Sequence, residues 1–294
     1  MSEPNVWMVM PSANEAMCAR HLPMWRERGY RVAVLQDVAR FGCAADVVVE
    51  VERYEGWAAS VNRLSRVAIE RGATIVVAAG DDMQPEMGRD AAAIGREFVA
   101  RFPDGFGVMQ PTGETLMHAS NYCGSPWLGR AWCERMYGGA GPLWPGYRHN
   151  WADNELYWLA RGMDVLWERA ELTQRHVHFS VTGEAKPEYW EKSAERNDCA
   201  DAWMFVERAW LEFPGHAPTG GAKRYDRRVF ERNYRFFAEV HLAGNLGEQQ
   251  AAWRPEERLR RVLLELAEDG VERVGIFGAG THTRSTSACS PPAA

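Results

Sequence analysis

Three short clusters in this 294-residue chain carry residue types that could do chemistry. The first is Asp81-Asp82, which closes the apolar run Thr74-Ile75-Val76-Val77-Ala78-Ala79. Two adjacent carboxylates at the end of a buried strand repel each other and lose hydration, so they need a cation or donors to compensate. A hard divalent ion does this economically, because Mg2+ or Mn2+ takes one or two carboxylates and fills its shell with water and phosphate oxygens. The same pair also reads as a solvated turn, one Asp capping a helix after Pro85. The second cluster is His176-Val177-His178-Phe179, where strand alternation puts both imidazoles on one face. There His178 could complete a metal site begun by Asp82, or both rings could be ordinary surface or core residues. The third is Asp153-Asn154-Glu155 at a helix start. A carboxylate there is held ionised by exposed N–H groups and the helix dipole, which suits an N-cap and equally suits a base that takes a proton from a hydroxyl.

These clusters need elements to hold them. The pattern predicts a strand over 6–10 ending at Pro11, a helix through Met17, Leu22 and Trp25 that stops at Gly29, and a strand over 32–35 ending at Asp37. A third strand over 47–51, a helix over 57–71 and the strand over 74–79 follow. Strands alternating with helices of this length predict a parallel sheet covered on both faces, with ligands outside the carboxyl ends of the strands. That gathers Pro11 to Glu15, Asp37 and Gly80 to Asp82 into one cleft. Residues 104–150 are rich in Gly, Pro and aromatics and read as loops around a site. A helix over 153–161, closed by Gly162, and a strand over 165–167 complete the first region. Beyond Lys186 the pattern becomes helical, over 187–212 and 224–243. A last helix over 255–268 leads into Val271 to Thr281, which looks like the opening of a dinucleotide-binding unit but is too short to complete one. The expected domains are therefore 1–186, a helical extension 187–250, and an end segment 251–294.

Composition narrows the function classes. Apolar residues make up 46% and charged residues 25%, which is globular and excludes disordered, collagen-like and membrane-embedded chains. Lys and Arg number 34 against 40 Asp and Glu, a net charge of −6, so no overall basic field exists to grip a phosphate backbone. Six widely spaced cysteines without a C-x-x-C pair read as reduced thiols. With no basic leader and no apolar stretch near the ~20 residues that span a bilayer, the chain reads as cytoplasmic.

In order and spacing, Pro11-Ser12-Ala13-Asn14-Glu15, Asp37, Gly56, Asn62, Gly80-Asp81-Asp82, Asp153-Asn154-Glu155-Leu156 and His178 resemble the GT-A nucleotide-sugar glycosyltransferases. The resemblance is to the inverting family 2 type, over about residues 4–185. It implies an α/β, GT-A type, mostly parallel sheet flanked by helices and followed by a helical extension. It also implies a nucleotide-sugar pocket lined by Pro11, Ser12, Glu15, Asp37, Asn62 and Asp81. The metal, Mn2+ or Mg2+, would sit on Asp82 with His178, and Asp153 would be the catalytic base. Ala152 stands where many relatives carry Glu, and Gly-Asp-Asp replaces the spaced D-x-D, which leaves the second metal ligand open.

The resemblance thus implies a metal-dependent inverting transfer of a sugar from a UDP- or GDP-linked donor to an acceptor hydroxyl. The acceptor is a glycan, a lipid-linked saccharide or another hydroxyl, with nucleic acid disfavoured by the acidic balance. Trp144, His149 and Glu155 are candidates for the acceptor side, since sugar C–H faces pack on aromatic rings. Two other readings stand beside this one: a nucleotidyltransferase, which would release pyrophosphate, and a degenerate nucleotide-sugar-binding module.

Overall fold

The computed structural model describes residues 3–37, 39–113, 122–183 and 195–219. The chain divides into two compact units, Met1–Arg235 and Phe236–Ala294, and every described residue belongs to the first. The helices expected over 224–243 and 255–268 and the glycine turn near Gly278 lie outside the described residues.

Strand β1 (Val6–Pro11) lies inside the sheet because its run Val-Trp-Met-Val-Met is apolar on both faces. Helix α1 (Glu15–Glu27) follows, its N-cap Asn14 accepting from the Met17 N–H at 3.1 Å. Strand β2 (Arg31–Gln36) is again buried, and β3 (Val47–Glu50) alternates in burial as an edge strand should. Helix α2 (Trp57–Glu70) and strand β4 (Ile75–Ala78) come next, then the two-residue strand β5 (Met83–Gln84) and helix α3 (Ala91–Arg101), capped by Asp90.

The main sheet has seven strands in the order β3-β2-β1-β4-β7-β6-β8, where β6 is Val108–Pro111, β7 Trp127–Gly129 and β8 Leu166–Arg169. Only β7 is antiparallel, to both β4 and β6. The class is therefore α/β with a mostly parallel sheet flanked by helices, as the alternating pattern predicts.

Residues 104–150 differ from the expectation of loops. They include β6, β7 and helix α4 (Arg130–Arg135), and they supply the fully buried Trp127 and Trp132. Strands of three and four residues among Gly and Pro are too short to declare a period. Helix α5 (Ala152–Gly162) descends from the carboxyl edge of the sheet and returns the chain to β8. A second ladder pairs β5 with β9 (Arg175–His176), so only the first part of the expected 176–179 strand is extended; Phe179–Thr182 is the short helix α6. Helix α7 (Glu195–Trp210) packs on α5.

Candidate functional site

The acidic pair is placed by three elements. Strand β4 ends at Ala78, and the turn that follows presents Asp81 and Asp82 at the carboxyl edge. Helix α1 grips this turn from below. His21 Nδ1 donates to the Asp81 carbonyl at 2.6 Å, since a carbonyl only accepts, and Trp25 Nε1 donates to the Met83 carbonyl at 2.9 Å. Cys18, His21 and Trp25 follow i, i+3, i+7 spacing, so one stripe of α1 faces the turn. From the loop after β1, Ser12 Oγ donates to Asp81 Oδ2 at 2.6 Å and accepts from the Asn14 N–H and the Cys18 thiol.

The two carboxylates are tuned in opposite directions. Burial raises the Asp81 carboxyl to about 6 against the pull of Ser12, with the neighbouring Asp82 charge adding to the rise. Burial acts on Asp82 too, but the His176 hydrogen bond and the charges of His176 and His178 together hold it below the usual carboxylate range. Asp82 Oδ2 lies 3.0 Å from His176 Nε2. The β5–β9 ladder makes this contact, through the pairing Met83↔His176 and the bond from Val177 N–H to the Asp82 carbonyl at 2.9 Å. Gly80 matters here, because a Cβ on it would stand 2.7 Å from Asp82 Oδ1.

A second imidazole joins the expected one beside Asp82. His176 Nε2 bonds the carboxylate, while His178 acts on it through its charge, its ring 5.1 Å from the His176 ring. Both imidazoles do share one side, as alternation predicts, but the short ladder brings the first of them to Asp82. Among the described residues no three His, Cys, Asp or Glu side chains stand close enough to hold a metal as they are. One carboxylate beside two imidazoles is nonetheless a donor set that fits Mn2+ better than Mg2+, which prefers oxygen.

Asp153 lies in the first turn of α5. Its Oδ1 accepts from the Asn154 N–H at 3.0 Å, and its carbonyl accepts from the Cys123 N–H at 3.2 Å. Burial raises its carboxyl to about 6, although the residue keeps part of its surface in solvent.

Topology puts Asp153 on the same edge as the acidic pair. Antiparallel β7 begins at that edge, with Trp127 opposite Val77 and the Pro126 carbonyl accepting from Ala78 N–H. The segment just before it, Cys123 to Ser125, carries the bond to Asp153. Asp153 therefore flanks β7 while Asp81 and Asp82 extend from β4 next to it.

Other expected site residues divide. Pro11 ends β1 in register with Leu35, Glu15 is exposed in the first turn of α1, and Asp37 is half-buried just past β2, all at the same edge. Asn62 goes elsewhere. Its amide clasps the Leu143 peptide from both sides, accepting from Leu143 N–H at 3.0 Å and donating to Leu143 C=O at 2.8 Å, so it latches a loop in place of lining a nucleotide pocket. Glu155 is corrected too. It is 0% exposed, its oxygens taken by Arg208 Nε and Nη2 at 2.7 Å each, Tyr147 OH at 2.7 Å and Tyr137 OH at 2.8 Å. Burial and the Glu155 charge push both phenols well above their ordinary range, so they remain donors. Trp144 already carries the Arg208 guanidinium 3.8 Å from its ring centre, so that face is not open to a sugar. His149 stands in a loop whose N–H groups bond Asp201.

Neither a family model nor a curated protein matches this chain. One similar solved structure is a mutant of Drosophila β-1,4-galactosyltransferase 7 in complex with manganese, UDP-Gal and xylobiose. It is 13% identical, with 65% of this chain and 79% of that chain covered, at a TM-score of 0.36.

Sequence reasoning missed His21, Trp25, Asp201 and Arg208, and of the His176–His178 cluster it paired only His178 with Asp82. The α1 stripe was detectable from its spacing. Nothing local marks Arg208 as the partner of a glutamate 53 positions away.

Proposed function

We propose that this chain is a nucleotide-sugar-dependent glycosyltransferase of the GT-A type that works by a single inverting displacement. The observation that carries the reading is the shared sheet edge of two unlike acids: a low-pKa Asp82 beside imidazoles, and a raised-pKa Asp153 in the neighbouring element.

Asp82 with a neighbouring imidazole, His176 or His178, would hold Mn2+, and the ion would supply positive charge to a departing diphosphate. Asp81, kept protonated by burial up to about pH 6 against the pull of the Ser12 hydroxyl, offers a hydrogen-bonding group to ribose or phosphate, and Glu15 and Asp37 frame the same edge. Asp153 takes the proton. As the acceptor O–H bond breaks, its oxygen bonds the anomeric carbon, and the electron pair of the old glycosidic bond leaves with the nucleoside diphosphate. Attack opposite the leaving group inverts the centre. A carboxylate whose pKa lies near 6 is a stronger base than an ordinary one and is still ionised at neutral pH.

The test is thermal melting with UDP-glucose and GDP-mannose, each with and without Mn2+. The reading expects a rise in Tm with one of the two that is largest when Mn2+ is present, and loss of the Mn2+-dependent part in Asp82→Asn. No shift with either nucleotide sugar would refute it. Pyrophosphate as the released product would favour a nucleotidyltransferase, and tight binding without turnover a binding module.

A further inference from the structure

Helix α5 begins without a local device to hold it. Its N-cap, Trp151, makes no side-chain capping bond and adopts φ 73°, a left-handed conformation costly for a bulky residue. Such a residue persists only where its surroundings over-determine it. Here they come from α7. Asp201 accepts three consecutive backbone N–H groups just before the strained residue: Arg148 at 2.9 Å, His149 at 2.7 Å and Asn150 at 3.0 Å. Phe205 packs on the Trp151 ring, centroids 5.4 Å apart. Arg208 then fastens Glu155, which stands in the same helical turn as Asp153, and also bonds the Pro214 carbonyl at 3.1 Å.

We infer that Asp201 and Arg208 are positioning residues for Asp153: helix α7 clamps both ends of the turn that carries it, and so sets the depth at which its carboxyl lies. This rests on the reading of Asp153 as the base. The clamp is a fork. A guanidinium bridges both Glu155 oxygens, so the turn can neither rotate nor slide, whereas a lysine ammonium in the same place grips at one point. Two phenols and an indole face complete the cage, which leaves Glu155 no alternative partner in solvent.

The experiment uses the full chain labelled with 13C at the aspartate carboxyls. The Asp153 resonance is assigned by its absence in Asp153→Asn and followed by NMR against pH. In the parent the expected midpoint is about 6. In Arg208→Lys and in Asp201→Asn the loosened turn admits water, so the midpoint moves down by about half a unit or more. In parallel, release of UDP from UDP-glucose, or GDP from GDP-mannose, with Mn2+ loses roughly tenfold in kcat while the donor KM changes little. Were Arg208→Lys not to fold, Tyr147→Phe removes one donor to Glu155 and leaves the ion pair intact; the same downward shift, smaller, is expected. A folded variant with an unmoved midpoint and parental kcat overturns the inference, as does a fall in kcat that merely tracks the folded fraction. Should Asp153→Asn turn over normally, the base assignment fails, while the titration in Arg208→Lys still decides whether the clamp sets the depth of Asp153.

Discussion

Asp153 concentrates the conflict between stability and chemistry in one side chain. Its ordinary value is 3.8 and its folded value about 6, so between those limits the folded chain binds the extra proton. Stability from this group is therefore complete below about pH 4, is lost as pH rises through about 6, and stays lost above. Asp153→Asn keeps an oxygen for the Asn154 N–H and removes the buried charge. The variant should be more stable than the parent at pH 7.5 by about 1–2 kcal/mol, after allowance for the partial solvent access of the group. The advantage should vanish near pH 4, which urea midpoints at the two values would measure. The same variant should still bind donor yet lose transfer by orders of magnitude, read as nucleoside diphosphate release. A more stable, inactive protein is what a functional carboxylate predicts. At the other cluster, His176→Ala should abolish most of the Mn2+-dependent rise in Tm, and His178→Ala less of it, because His176 is hydrogen-bonded to Asp82 at 3.0 Å.

Among the elements, loop placement depends on a few close approaches. Gly56 precedes α2 at φ 105°, and a Cβ there would stand 2.7 Å from the Arg148 carbonyl and 2.9 Å from that of Tyr147. Gly29, at φ 81°, has nothing within 4 Å of its would-be Cβ. Gly29→Ala should thus cost about 1 kcal/mol of backbone strain alone, whereas Gly56→Ala should cost about 3 kcal/mol or more, since the loop over α2 must also move. Denaturant midpoints separate the two. The Asn62 amide sets another such approach, holding Leu143 while Gly141 leaves it room. In the sequence, Asn62 in the helix over 57–71 was given to the nucleotide-sugar pocket by the family resemblance. Its position was legible and its partner was not, because the peptide it clasps is 81 residues away.

At the scale of the molecule, α7 and the sheet layers depend on each other. A fragment ending at residue 186 would strip Arg208 from Glu155 and remove Phe205 and Phe213, both fully buried. Breaking a buried ion pair on one side costs about 3–5 kcal/mol, and each lost aromatic a further ~3, against the 5–15 kcal/mol that holds a typical domain. Such a fragment should show no cooperative melting transition by circular dichroism, whereas one ending at residue 235, the end of the first compact unit, should keep one.

Apolar runs bounded by Gly and Pro were enough to announce β1, β2, β4 and the helices between them, because burial on both faces writes itself directly into composition. They also sufficed to put Asp81-Asp82 at a strand end and Asp153 at a helix start, since those are statements about neighbours along the chain. Which imidazole meets Asp82, that Glu155 turns inward to an arginine, and that β7 runs against its neighbours were settled by folding. These depend on pairings between segments far apart in sequence, whose energy exists only once the layers have closed and water has left the space between them.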